Sequence, residues 1–277
     1  MNYIPCRERL FPYKIQTANF HETYVRWLKH LGERLGIQET LSLWKETFAE
    51  YDVALLMAIL SSGWRKPSSE TNPGESIHTL IAGAFAGANL GISDDEGVSI
   101  VENTPPIPQI VSQFSTRTME KEISAYEVLH LRFDAMAYLA ERLIEKYGKQ
   151  GELIVYDMMV EGRLAAAKGQ TGSVPEFMED FTAFDGAPNL FSAGLQTEVI
   201  RKSDEEAVLL VRECEWARYF RERHPAVGYL MACSTDEVAY RAFNRSLRMQ
   251  RTQTLMEGGE MCDFRVYTIE KGSESEG

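Results

Sequence analysis

Leu195-Gln196-Thr197-Glu198-Val199-Ile200-Arg201-Lys202-Ser203-Asp204-Glu205-Glu206-Ala207-Val208-Leu209-Leu210-Val211 is the stretch where the chain changes its period. Leu195, Thr197 and Val199 alternate as a half-buried strand does, Lys202-Ser203-Asp204-Glu205 has turn chemistry, and Val208 to Val211 reads as the returning strand. The pattern repeats downstream. Met249 to Leu255 is a predicted strand, Gly258-Gly259 a turn, and Met261 to Ile269 a second strand. Two short helices are expected between the hairpins. The first spans about Glu215 to Arg223 and is stopped by Pro225; the second opens at a Ser234-Thr235-Asp236-Glu237 capping box and ends near Phe243.

Upstream of that stretch the period is helical. Leu129, Phe133, Met136, Ala140, Leu143 and Tyr147 fall on one helix face, and Gly148 sits where a carboxyl cap belongs. A further helix is expected over about Glu152 to Lys168, and Ser173 with Pro175 and Glu176 marks another helix start. Nearer the amino terminus, Asn19 and Glu22 resemble a capping box, followed by Tyr24, Trp27, Leu28, Leu31 and Leu35 up to Gly36. Leu41, Trp44, Phe48, Tyr51, Leu55 and Ile59 continue as a long amphipathic helix to Gly63. Residues 68–74 read as a loop, Ile77 to Leu90 as a short helix with a close-packed glycine face, and Pro105-Pro106-Ile107-Pro108 as a stiff linker. The Ser-Glu-Ser-Glu-Gly tail has a disordered composition. The predicted fold class is α+β, with a helical amino-terminal region (1–115) packed on a carboxyl-terminal domain (116–277) of antiparallel sheet and flanking helices.

The chain has 277 residues, 44% of them hydrophobic, and a formal charge of -12. Such a charge opposes binding to phosphate backbones, so nucleic acid is excluded as a partner, and no run of eighteen apolar residues reaches across a membrane. The expected partner is a small molecule, with association into a homo-oligomer also open. Without a secretory signal or a disulfide spacing, the cysteines are expected to be reduced and the protein cytoplasmic.

Three of the four cysteines, Cys214, Cys233 and Cys262, lie in the last quarter of the chain, 19 and then 29 residues apart. Zinc fingers and ribbons use gaps of two to four residues, and the five histidines form no His-x-x-x-His pair, so neither a metal nor another cofactor is expected. Cys214 and Cys233 each precede a predicted helix, whose amino-terminal N–H groups lower a thiol pKa. Most cysteines are packing residues, and that reading stands beside the functional one for each. If Cys262-Asp263-Phe264-Arg265 is a regular strand, Cys262, Phe264 and Val266 share one face while Asp263, Arg265 and Tyr267 share the other. Pairing about the Gly-Gly turn brings Arg251 and Gln253 near Phe264 and Val266. A direct dyad of Cys214 with His224 is disfavoured, because the helix between them separates its ends by about 15 Å. Glu213 or Asp236 is the cheaper activating carboxylate.

Glu213-Cys214, Ala217, Cys233 with Asp236, Asn244, Arg251-Thr252 and Thr254, the Gly-Gly turn and Cys262-Asp263-Phe264-Arg265 together resemble the L-2-amino-thiazoline-4-carboxylic acid hydrolase family, over roughly residues 125–270. The resemblance implies hydrolytic opening of a cyclic amidine or isothiourea, in which water adds to the carbon between ring sulfur and nitrogen to give a carbamoyl-cysteine product. Expected catalytic residues are Cys214 or Cys262 as nucleophile, with Glu213 and Asp236 moving protons. Arg251, Arg265, Asn244, Thr252 and Cys233 are expected to bind substrate, the arginines by a bidentate grip on a carboxylate. Two other readings remain open: a non-catalytic small-molecule binding or accessory protein on the same scaffold, and a cysteine-ligated metal or heme protein.

Overall fold

The computed structural model describes residues 4–15, 26–27, 29–50, 119–168, 171–182 and 190–269. The loop at 68–74, the glycine segment 77–90, the proline linker, most of the first capping signal and the tail lie outside the described residues, as does the second helix beyond Glu50. The fold is α+β. In chain order the elements are a 3-10 turn (Cys6–Glu8), β1 (Leu10–Ile15), a helical segment at 29–35, α1 (Ile37–Glu50), β2 (Met119–Ser124), α2 (Ala125–Tyr147), α3 (Lys149–Ala167), α4 (Val174–Thr182), α5 (Leu190–Gly194), β3 (Leu195–Lys202), β4 (Glu206–Cys214), α6 (Glu215–Arg223), a π-helical turn (Tyr229–Cys233), α7 (Asp236–Phe243), β5 (Leu247–Gln250), a 3-10 turn (Leu255–Glu257) and β6 (Cys262–Thr268). Two compact units share the chain. One takes Met1–Pro12, Glu122–Leu129 and Val155–Gly277, the other Tyr13–Lys121 and His130–Ile154.

In the second unit, α2 buries Ala140 and Leu143 of the face read by spacing, with Ala137 and Leu139 beside them, and Gly148 closes α2 at φ 56°, a conformation that costs glycine little. The Tyr147 hydroxyl donates to the Glu39 carboxylate, which also pairs with Lys146. Trp27 and Leu31 are buried as their helical spacing requires, and so is Leu43 of α1, a residue outside the face read by spacing.

The first unit holds the sheet. Its order is β3-β4-β6-β5, antiparallel throughout, so the two predicted hairpins join along β4 and β6. Ala207, Leu247 and Val266 on one face pack with Met178 of α4, and Phe177, Phe181, Tyr240 and Phe243 surround that cluster. Each fully buried Leu or Val there contributes about 1.5–3 kcal/mol. Ser173 caps α4 as its sequence predicts, its hydroxyl and N–H both donating to the Glu176 carboxylate. Gly228 lets the π-helical turn press on α6 and the 3-10 turn, since a Cβ there would lie 2.7 Å from both Phe220 and Met256 atoms.

Two sequence expectations are corrected. The strand predicted over Met249 to Leu255 ends at Gln250, because Thr254 caps a 3-10 turn: its hydroxyl accepts from the Glu257 N–H at 3.0 Å and donates to the Glu257 carboxylate. Gln253 consequently does not face Val266. Its N–H donates to Asp263 and its side chain accepts from the Glu260 N–H. The capping box predicted at Ser234 does not form. The Ser234 hydroxyl donates back to the Leu230 carbonyl, and Thr235, the residue that flanks α7, makes no side-chain cap.

Candidate active site

Cys214 ends β4 and caps α6, its sulfur accepting from the Ala217 N–H at 3.4 Å. Cys262 opens β6, and its sulfur accepts from the Leu255 N–H at 3.3 Å. Cys233 closes the π-helical turn two residues before the end of its connection to α7. The register pairs Val211 with Cys262, three residues before Cys214 on β4. The three thiols are within electrostatic reach of one another, Cys233 being raised by both of the others.

Asp236, in the first turn of α7, stands beside them. Arg251 donates to its Oδ2 at 2.9 Å, and Arg163 of α3 approaches its Oδ1 at 3.4 Å. Arg251 also reaches the Cys233 carbonyl at 3.3 Å and the Tyr229 hydroxyl at 3.4 Å, and lies over the Phe264 ring at 5.1 Å and the Tyr229 ring at 5.7 Å. That framing leaves its side chain 5% exposed. Arg163 spends Nε on the Thr235 hydroxyl at 3.3 Å and Nη2 on the Ala232 carbonyl at 3.2 Å.

Cys214, Cys233, Asp236 and Tyr240 all keep part of their surface open to solvent, yet burial is the leading influence on the ionisation of each. Each of these side chains is surrounded by protein while part of it still meets solvent. Burial pushes Cys214 up to about 12, against the Ala217 and Trp216 N–H groups, and the lowered pKa expected from its helix-start position is corrected. A helix end stabilises a thiolate by a modest amount, and desolvation here is larger. Cys233 and Cys262 are raised for the same cause, Cys262 with relief from the Leu255 N–H and Arg251. Burial also raises Asp236, although Arg163 and Arg251 favour its charged form.

The other expected site residues stand elsewhere. Glu213, one residue before Cys214 on an extended strand, accepts from the Cys6 N–H at 2.8 Å. Arg265 straddles Glu206 at 3.3 Å on the solvent side of the sheet and touches Gln250. Asn244 ends α7, donating to the Gly172 carbonyl and accepting from the Ser246 N–H. Thr252 donates to Asp263 from both its N–H and its hydroxyl, which holds the loop rather than a ligand. Arg163 was not among the sequence candidates. It sits in a helix with ordinary spacing, and nothing local distinguishes it from a solvent-facing arginine. Among the described residues no group of three or more His, Cys, Asp or Glu is arranged to hold a metal ion, and no helix is long and apolar enough to cross a membrane.

Residues 129–266 match the L-2-amino-thiazoline-4-carboxylic acid hydrolase family, the one the cysteines and the Cys-Asp-Phe-Arg run resemble. The segment runs from residue 129, within α2, through most of β6 and includes all three clustered cysteines, Asp236, Arg163 and Arg251. No curated protein and no solved structure matches the chain.

Proposed function

We propose, with the family match over residues 129–266 as premise, that this protein hydrolyses a small cyclic amidine or isothiourea of the thiazoline type through a cysteine nucleophile. The observation that carries the reading is a carboxylate, Asp236, held between two guanidiniums beside three thiols. The raised thiol pKa values mean that sulfur is protonated at rest, so a base must take the proton as the new bond forms. Asp236 is the base. Its carboxyl, raised by burial, is a stronger proton acceptor than an ordinary carboxylate.

Cys214 is the nucleophile this reading favours, because it is half-exposed and two N–H groups stabilise its thiolate. Asp236 removes the Cys214 proton while sulfur bonds to the ring carbon between ring sulfur and nitrogen. The tetrahedral adduct collapses by breaking the bond from that carbon to the ring nitrogen, which leaves with the proton held by Asp236. Water then adds to the enzyme-bound carbon and gives a proton to Asp236; the bond to Cys214 breaks, and the proton returns to sulfur. The sum is ring plus water giving the S-carbamoyl amino acid.

The raised thiols also favour a second reading, a binding protein on this scaffold without turnover. Incubation with 2-aminothiazoline-4-carboxylate and related cyclic amidines, followed by heterocycle absorbance and carbamoyl product, separates the two. Turnover by wild type with kcat lowered by orders of magnitude in Cys214→Ser supports the covalent enzyme. Full activity in Cys214→Ser, Cys233→Ser and Cys262→Ser ends the covalent mechanism, and binding without turnover supports the second reading.

A further inference from the structure

We infer that Arg163 is the residue that receives the substrate's carboxylate, and that Arg251, its neighbour across Asp236, does not. The inference rests on the small-heterocycle reading above and concerns how that site selects an anionic ligand. Two guanidiniums, those of Arg163 and Arg251, share one carboxylate, Asp236. The neighbouring thiols are neutral at pH 7, since burial raises all three. The two guanidiniums therefore outnumber the carboxylate they share whether Asp236 is protonated or not. A guanidinium whose carboxylate is shared keeps donors to offer an arriving anion.

Which arginine the anion meets follows from geometry. Arg251 is 5% exposed, bonds Asp236 at 2.9 Å, and is clasped between the Tyr229 and Phe264 rings, so its guanidinium has neither free surface nor freedom to turn. Arg163 is 34% exposed, and its three contacts, to Thr235, Ala232 and Asp236, are 3.3, 3.2 and 3.4 Å. Those lengths lie at the weak end for charged hydrogen bonds. They engage Nε and Nη2, and among the described residues nothing accepts from Nη1. A carboxylate arriving at the open edge gains Nη1 and can take over Nη2 from Asp236, forming the bidentate grip that guanidinium favours. The same exchange loosens one of the two arginines from Asp236, leaving Arg251 to orient it.

The test is calorimetric binding of 2-aminothiazoline-4-carboxylate and its neutral 4-carboxamide to the full chain, with turnover measured in parallel. Wild type should favour the acid by roughly tenfold or more, the worth of one charge-assisted pair. Arg163→Gln should bring the two affinities together, while Arg163→Lys keeps most of the preference. A purely structural Arg163 would weaken both ligands alike and leave their ratio intact, which overturns the inference. Equal affinity of wild type for acid and amide overturns it without any variant, which covers the case in which Arg163→Gln fails to fold. Acid preference that depends on Arg163 without turnover keeps the receptor and defeats the hydrolase; turnover whose acid preference survives Arg163→Gln does the opposite.

Discussion

Two carboxylates of the same sheet unit are each flanked by two arginines, and they respond in opposite directions. Glu206, on the solvent side of the sheet, meets Arg265 and Arg201 at 3.3 Å and is held below the usual carboxylate range by the Arg265 hydrogen bonds. Asp236 meets Arg251 and Arg163, and burial nevertheless raises it. The pairing is alike in stoichiometry. Their side chains are about equally exposed, 15% for Glu206 and 17% for Asp236, so what differs is the protein around them: few atoms surround Glu206 and its hydrogen bonds decide, whereas the chain packed about Asp236 makes desolvation outweigh two guanidiniums. The same chemical motif is thus a surface clasp in one place and a proton acceptor in the other.

The strongest way to break this contrast is at Asp236. Asp236→Asn should lower kcat by about 10²–10⁴-fold as the general base is lost. The wild-type acid limb of kcat should lie above the ordinary carboxylate value, because activity is lost as pH falls through the raised Asp236 pKa. Steady-state profiles of both proteins check this. Next in size is Arg251→Ala, which leaves Asp236 with only the looser arginine. Urea unfolding should show a loss of roughly 3 kcal/mol, the scale of a broken buried pair.

Thiol chemistry sharpens the contrast. With Cys214 pushed up to about 12, native protein at pH 8 should react with iodoacetamide far more slowly at this residue than denatured protein, whose thiols ionise near pH 8.5. Equal rates would place Cys214 in a solvated environment. A smaller effect is expected at Asp263. Burial raises it, but the Thr252 hydroxyl and the Gln253 and Thr252 N–H groups together bring it below its ordinary value. Asp263→Ala should cost about 1 kcal/mol, discounted for solvent exposure. Its contribution is complete above the unfolded value near pH 3.9 and disappears as pH falls through the lower folded value, so wild type and variant should converge in acid. The smallest effect belongs to Arg265→Ala, which should leave both Tm and KM unchanged within error, since the arginine's own side chain is 47% exposed and solvent screens the pair.

The sequence was most informative where a pattern is local. The period change at Leu195 located β3 and β4, alternation along Cys262 to Tyr267 gave the faces of β6, and Ser173 with Glu176 marked the start of α4. Thr254 with Glu257 carried an equally local signal, a Thr-x-x-Glu cap, but the β-favouring Thr252 and Thr254 masked it. The candidate site was legible only in part. Cysteines and Asp236 are residue types with few uses, so their grouping draws notice. Arg163 and the choice between Arg251 and Arg265 depend on which guanidinium is buried, a tertiary fact that neither spacing nor composition encodes. The pKa of Cys214 failed for a related reason: helix position is readable from a sequence, whereas desolvation requires the surrounding chain.

The π-helical turn at Tyr229–Cys233 makes the region unusually intolerant of length changes. Its wide winding, with the Ser234 N–H bonded to the Tyr229 carbonyl at 2.9 Å, ends on the two carbonyls that the arginines use, Ala232 for Arg163 and Cys233 for Arg251. Removing one residue would let the turn relax to an α-helix, at 3.6 residues per turn a rotation of about 100°. Both carbonyls would swing off their guanidiniums together, and Cys233 would leave the thiol group. A single in-frame codon deletion here therefore acts on three functional side chains at once, where a substitution reaches one.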